Sequence, residues 1–228
     1  MTRIEIAPSI LSADFTCLER EVKKAQDAGA DRLHCDIMDG NFVPNITFGP
    51  LVVEAVRRCV TIPLDVHLMI IDPMRYVNDF CNAGASTLIV HAEVCDVPAV
   101  AAAIRKNNVR PGVSVNPDKP ASLFLPHLRD IDMVLVMTVF AGFGGQKFMP
   151  EMLDKIALVR AESVKRNLTT DIAVDGGIND KTGEECAAAG ANVLVAGSYI
   201  FGHEDFEARI ATLRAASLRG RERLGHEV

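Results

Sequence analysis

The stretch Ala25-Gln-Asp-Ala-Gly-Ala-Asp-Arg-Leu-His-Cys-Asp-Ile37 decides the fold. Its left half ends an amphipathic helical pattern that begins at Asp14. Its right half, Arg32–Ile37, is a short β-rich run. Between them stands Ala28-Gly29-Ala30, and a glycine there can take the left-handed conformation that ends a helix without a Cβ clash. The phrase returns at Ala83-Gly84-Ala85 and at Ala189-Gly190-Ala191, each time after a helical pattern and before a strand. The two intervals between these glycines amount to about two and about four helix–strand units, at roughly 27 residues per unit for a compact barrel.

Outward from that unit the alternation continues. Strand-like runs fall at Ile4–Ala7, Arg32–Ile37, Leu64–Leu68, Thr87–His91, Pro111–Val115, Met133–Met137, Asp171–Val174 and Asn192–Ala196. Helical patterns fall at Asp14–Ala28, Pro50–Cys59, Pro73–Ala83, Val97–Asn107, Pro150–Arg166 and Asp180–Ala189. Pro120 and Pro126 leave only a short Ala121–Leu125 segment for a helix after the fifth strand. Strands separated by helices imply right-handed crossovers and a parallel sheet. The expectation is an α/β fold, one (β/α)8 barrel over residues 1–228. An open doubly wound sheet is the alternative, but no G-x-G-x-x-G follows the first strand. The charged stretch from about residue 217 is expected to fray.

Composition narrows the function classes. Hydrophobic residues make up 49% of the 228-residue chain and tryptophan is absent, so small and branched side chains must fill the core. The net charge is −6 with both signs interspersed, which leaves no basic face for nucleic acid. An anionic substrate stays open, because backbone N–H groups bind phosphate without a cationic side chain. Six cysteines are scattered with no C-x-x-C pair, the pattern of small, mostly buried hydrophobes in a reducing compartment. The N-terminal run has no long apolar stretch, and no segment reaches membrane-spanning length. The expectation is a soluble cytoplasmic protein with no membrane partner.

In a barrel, the C-terminal strand ends and the loops after them form the active face. The second strand places His34, Asp36 and Met38 on one side, the third places His67 and Met69 together, and the seventh ends in Asp175. Barrel interiors favour Val, Ile and Leu, so two imidazoles and two carboxylates converging there need a reason. One reading is a metal site of His34, Asp36, His67 and Asp175, a donor set suited to one divalent transition metal such as Zn²⁺, Fe²⁺, Mn²⁺ or Co²⁺. The other is a buried polar network in which each histidine is satisfied by a neighbour. Asp39 opens a turn with Gly40 and is read as structural. Asp65 is read as out of phase with His67 and is expected to face the helices.

A second constellation is glycine-rich. Gly142-Phe143-Gly144-Gly145, Gly176-Gly177 and Gly197-Ser198 follow the sixth, seventh and eighth strands. Such loops either turn N–H groups toward a phosphate or are simple turns. Barrels commonly hold phosphate after strands seven and eight, beside a short extra helix, here Ser198–Phe201. Together the constellations suggest a small sugar phosphate, anchored at one end and gripped by a metal ion at its ketone. Asp36 and Asp175 could then remove and return a proton on opposite faces of the adjacent carbon.

These residues closely resemble the ribulose-phosphate 3-epimerase family. The likeness rests on Ala7-Pro-Ser-Ile-Leu-Ser-Ala-Asp14, His34-Cys-Asp-Ile-Met-Asp-Gly40 with Phe42-Val-Pro-Asn45, and Asp65-Val-His-Leu-Met69. It continues through Val136-Met-Thr138, Gly142-Phe-Gly-Gly-Gln-Lys-Phe148, Val174-Asp-Gly-Gly177 and Ala196-Gly-Ser198. The resemblance implies interconversion of D-ribulose 5-phosphate and D-xylulose 5-phosphate in the pentose phosphate pathway or the Calvin cycle, through a metal-stabilised 2,3-enediolate. It implies metal ligation by His34, Asp36, His67 and Asp175, with Asp36 and Asp175 as the acid/base pair. It further implies substrate contacts from Ser9, His67, Gly142 to Gly145, Gly176, Gly177, Gly197 and Ser198, a methionine cap of Met38, Met69 and Met137, and a homo-oligomer. Two positions depart from the family. Cys35 replaces an aliphatic residue but should face the helices. Phe140-Ala141 replaces an acidic or amide residue followed by proline, which should loosen the start of that loop. Rival readings are a 3-epimerase of a hexulose 6-phosphate such as D-allulose 6-phosphate, a phosphate-binding barrel without chemistry, and an aldolase or decarboxylase. The last would be expected to carry a lysine at a strand end, and none stands there.

Overall fold

In the computed structural model, which describes residues 3–226, all eight expected strands form. They are β1 (Glu5–Pro8), β2 (Leu33–Met38), β3 (Leu64–Met69), β4 (Thr87–His91), β5 (Arg110–Val115), β6 (Met133–Met137), β7 (Asp171–Asp175) and β8 (Val193–Ala196). The helices are α1 (Leu18–Asp27), α2 (Pro50–Cys59), α3 (Pro73–Asn82), α4 (Val97–Lys106), α5 (Met152–Lys165), α6 (Asp180–Ala189), α7 (Ser198–Phe201) and α8 (Phe206–His226). All ladders are parallel, in the order β1-β8-β7-β6-β5-β4-β3-β2. The ring is nearly closed. Between β1 and β2 the ladder shrinks to one bridge, Ser9 with His34. Asp31 reinforces this seam from below: its N–H donates to the Ile6 carbonyl at 3.0 Å, and its carboxylate accepts from Ile6 N at 2.8 Å.

Side chains alternate between two cores, as the period of a strand requires. Leu33, Cys35, Ile37, Val66 and Leu68 join the large layer between sheet and helices. Cys35 thus packs harmlessly, as its phase predicts. Ala7, Ile89, Met133, Leu135, Ala173, Val193 and Val195 fill the inside of the ring.

The helix-end glycines behave as the repeat implies, with φ of +89° at Gly29, +103° at Gly84 and +117° at Gly190. Asn108 and Asn167, both at positive φ, stand just beyond the ends of α4 and α5. The first helix starts later than expected, because Asp14 caps a short 3-10 turn, Phe15–Cys17, with its carboxylate accepting from Thr16 N at 2.9 Å. Between β5 and β6 the chain makes two 3-10 turns, Ala121–Leu123 and Leu125–His127, in place of an α-helix.

Two expectations need correction. The stretch from residue 217 continues as helix to His226. Ala216, Ser217 and Gly220 are small and buried, and Gly220 lies flush against the Glu184 carbonyl of α6, so α8 docks along its length. Residues 227 and 228 of that stretch lie outside the described residues. Asp65 does not face the helices. It precedes His67 by two residues, shares its inward phase, and lies buried at the lower end of the ring. There it accepts from Arg32 Nη1 at 3.0 and 3.1 Å, while Arg32 Nε reaches Glu5 Oε2 at 2.7 Å.

Candidate metal and substrate site

The upper end of the ring gathers the residues picked from the sequence. β2 supplies His34 and Asp36, β3 supplies His67, and Asp175 ends β7. One ligand atom from each lies within 4.8 Å of all the others. His34 Nε2 stands 3.3 Å from Asp36 Oδ1 and 3.9 Å from Asp175 Oδ2, and His67 Nδ1 stands 3.4 Å from Asp36 Oδ1. Despite these approaches, both ring nitrogens of His34 are buried without a hydrogen bond. Such orphaned atoms are costly unless something else meets the lone pair of one and the N–H of the other. Two imidazoles and two carboxylates converging on one point, with unpartnered ring nitrogens among them, fit a divalent transition metal better than Mg²⁺ or Ca²⁺.

The charges within the cluster pull its members apart. Burial draws the His34 imidazole down, but Asp36 and then Asp175 outweigh it and lift His34 to about 9. Burial pushes His67 down to about 4 against the hydrogen bond to Asp36. Burial would raise Asp36, yet the neighbouring His34 charge holds it below the usual carboxylate range. Asp175 moves the other way, to about 7, through burial and the Asp36 charge. Without an ion the two carboxylates are thus pushed in opposite directions, Asp36 toward the ionised form and Asp175 toward the protonated one. A bound cation would favour the deprotonated form of every ligand.

Neighbouring groups fix these side chains. Ser9 Oγ donates to Asp36 Oδ2 at 2.6 Å. Thr138, just past β6, donates its N–H to the Asp175 carbonyl at 2.8 Å. Asp39 holds the loop after β2, accepting from Asn41 N, Phe42 N and Ile71 N at 2.8 to 2.9 Å, which is the structural role read for it.

Above the cluster opens a cleft of ≈ 730 Å³. Ser9, Asp36, Met38, Met69, Met137 and Asp175 line its floor, and Gly142 to Gly145, Gly176, Gly177, Gly197 and Ser198 line its walls. His34 and His67 lie beneath the floor, fully buried. Gly177 has φ +65°, and a Cβ there would meet Phe148 N at 2.8 Å, so the loop after β6 rests directly on the turn after β7. The α7 helix begins at Ser198, where the extra helix was expected. The start of the glycine-rich loop is held despite its missing proline. Ala141 N, a donor proline would lack, reaches Asn116 Oδ1 at 3.2 Å, and Gln146 Nε2 donates to the Phe140 and Phe143 carbonyls at 2.6 and 2.9 Å.

Sequence reasoning passed over several residues here. Lys147, Lys181 and His203 line the cleft and bring cationic or titratable groups to its glycine-rich side. A lysine directly after Gly144-Gly145-Gln146 was a signal available for Lys147. His91, at the end of β4, is fully buried with Nε2 2.9 Å from His67 Nε2. Its strand position, like that of His67, could have found it.

Comparison with known proteins agrees with this geometry. Residues 5–201 match the model of the Ribulose-phosphate 3 epimerase family. The chain is 48% identical to the ribulose-phosphate 3-epimerase of Bacillus subtilis, covering 93% of this chain and 99% of that protein. It is 41% identical to the Schizosaccharomyces pombe ribulose-phosphate 3-epimerase, covering 97% of each. Among solved structures, 3-keto-L-gulonate-6-phosphate decarboxylase from Vibrio cholerae superposes with a TM-score of 0.72 at 17% identity, covering 96% of this chain and 99% of that one. At that identity the likeness is one of fold alone. With a family match across most of the barrel and relatives aligned nearly end to end, the chain belongs to the ribulose-phosphate 3-epimerase family and is an isomerase.

Proposed function

We propose that this protein inverts C3 of a pentulose 5-phosphate, interconverting D-ribulose 5-phosphate and D-xylulose 5-phosphate. The observation that carries the reading is the pair Asp36 and Asp175. They stand on β2 and β7 at the floor of one cleft, with affinities for a proton pushed in opposite directions. A divalent ion held by His34, Asp36, His67 and Asp175 would supply Lewis acidity toward the ketone oxygen and its neighbouring hydroxyl. The ionised aspartate removes the C3 proton from one face, and the protonated aspartate returns one to the other. In the reverse direction their roles exchange. Ser9 holds the Asp36 carboxylate in its orientation through their 2.6 Å hydrogen bond. Met38, Met69 and Met137 are nearly fully buried and give the reacting carbon a soft, water-poor wall. The N–H groups of Gly142 to Gly145, Gly176, Gly177, Gly197 and Ser198 hold the phosphate, fixing C3 between the two carboxylates by binding energy spent remotely.

A role in sugar-phosphate metabolism of the cytoplasm fits the six free cysteines. No helix among the described residues is long and apolar enough to cross a membrane. A homo-oligomer fits the exposed Ile46, Leu51 and Ile71 on the rim after β2 and β3, and sedimentation as a monomer would count against it.

The test is NMR of ribulose 5-phosphate in D₂O with wild-type, Asp36→Asn and Asp175→Asn proteins, each checked for metal content. Wild type should exchange and invert C3. Each metal-replete variant should lose net inversion by about 10²–10⁴, the usual contribution of a positioned acid or base. The two variants should still exchange the C3 proton of opposite epimers. Near-normal inversion by either variant removes the two-base reading. D-Allulose 6-phosphate, assayed in parallel, measures how strictly the cleft selects five carbons.

A further inference from the structure

We propose that His91 and Glu93 are positioning residues that fix which nitrogen of His67 carries its proton, and thereby set His67 as a metal ligand; this rests on the metal-site reading above. β4 ends at His91, and the 3-10 turn Ala92–Val94 that follows carries Glu93. The rings of His67 and His91 lie nearly parallel and end to end, with centroids 5.1 Å apart and an interplanar angle of 18°. Their Nε2 atoms lie 2.9 Å apart. At that distance one nitrogen must carry a proton and the other must accept it.

The direction is settled from the far end. His91 Nδ1 lies 3.2 Å from Glu93 Oε1. A carboxylate only accepts, so His91 Nδ1 is the donor. A neutral His91 then has a bare Nε2, which accepts from His67 Nε2–H. Neutral His67 in turn has a bare Nδ1, and that atom is the one facing Asp36 in the cluster, at 3.4 Å. The chain of bonds delivers a lone pair to the point where the other three ligands converge. Glu93 is itself anchored, since the same oxygen accepts from Asn116 N at 3.1 Å and Asn116 Nδ2 at 3.0 Å. Asn116 Oδ1 also holds Ala141 N, so one residue braces both this chain and the start of the glycine-rich loop. Without an acceptor beside His67 Nε2, the proton is free to move to Nδ1 and block the ligand position.

The experiment compares wild-type protein with His91→Leu, His91→Gln and Glu93→Gln. Zn²⁺ affinity is measured by competition with a chromophoric chelator. The His67 tautomer is read from ¹⁵N shifts and long-range ring couplings of the Zn²⁺ protein. The expected wild-type state has the proton on His67 Nε2. His91→Leu should weaken Zn²⁺ binding by about 10–100-fold, the usual cost of removing a partner behind a ligating histidine. His91→Gln should recover most of that, because its amide oxygen can accept the same N–H. Glu93→Gln should lose less than His91→Leu and shift the His67 tautomer toward Nδ1–H. Circular dichroism and melting identify a variant that fails to fold. Glu93→Gln changes one terminal group and carries the test if His91→Leu does not fold. A folded His91→Leu protein with wild-type affinity, or wild-type His67 protonated on Nδ1, overturns the proposal. Wild-type protein with no stoichiometric Zn²⁺ affinity fails the metal-site reading itself, an outcome distinct from a variant that binds as wild type does.

Discussion

The two ends of the barrel interior hold similar numbers of ionisable groups and treat them in opposite ways. At the lower end Arg32 is gripped by Glu5 on one side and Asp65 on the other, while Arg110 pairs with Asp171 at 2.7 Å. Asn192 Nδ2 completes the Asp171 carboxylate at 2.9 Å. Burial draws the Arg32 guanidinium down, but Asp65 and Glu5 more than reverse that and hold it above its ordinary value. At the upper end the ion pairs found for Asp36 and Asp175 among the described residues are with histidines, and His34 has no hydrogen bond at either nitrogen. The lower group supplies its own counter-charges and is complete as folded. The upper group gathers two histidines and two carboxylates whose ligand atoms lie close enough together to hold a metal ion. Buried polarity alone therefore does not mark a site; two imidazoles and two carboxylates converging on one point do so more strongly.

Exchanging the perturbation between the two ends should separate them most widely. Asp175→Asn at the upper end should lower kcat by about 10²–10⁴ and leave urea stability of the metal-free protein nearly unchanged. Arg32→Leu at the lower end should do the reverse. It leaves Asp65 buried without its cation, at a cost of about 3–5 kcal/mol, with kcat per folded molecule unchanged. Equal losses of stability from both substitutions would erase the contrast.

Removing the metal should sharpen it. With free ion at about 100 times its dissociation constant, binding stabilises the fold by about 2.7 kcal/mol. Calorimetry with and without chelator should show that difference in wild type and in Arg110→Gln, but not in a His34→Leu protein. The pH dependence has a definite sign. His34 at about 9 and Asp175 at about 7 hold protons near neutrality that an incoming cation must displace. Apparent metal affinity should therefore rise from pH 6 to 9, and a flat profile would break the link between charge and site.

The smallest effect tests whether the lower end is uniform. The Arg110 side chain is 42% exposed, against 6% for Arg32. Solvent screens such a pair, and Arg110→Gln should cost less than about 1 kcal/mol by urea titration. A loss matching that of Arg32→Leu would show that exposure does not divide the two pairs.

Much of this is legible in the amino-acid sequence. The alternation of strands and helices placed all eight strands within a residue or two, because the β-rich runs are short and stand clear of the helical patterns between them. His34, Asp36, His67 and Asp175 stood out because ionisable side chains on inward phases of a barrel strand are expensive. Other features were less visible for physical reasons. Asp65 required counting phase from His67, where two residues restore the same face. The docking of α8 depends on Ala216, Ser217 and Gly220 fitting the surface of α6, and small residues in a charged stretch read as a frayed end. His91 shares the inward phase of its strand, but Glu93, in the turn after β4, carries meaning only through its contact with His91.

The seam between β1 and β2 bears on how the molecule is made. β1 finds its ladder partner in β8, the last strand to be synthesised. Until β8 is made, β2 onward can pair in order, but β1 has only the Ser9–His34 bridge and the Asp31–Ile6 bonds to hold it. Both borders of that unfinished sheet stay open to a neighbouring nascent chain. A chain cut shortly before residue 193 should therefore associate edge to edge rather than fold as a weakened enzyme, which sedimentation of the fragment would show.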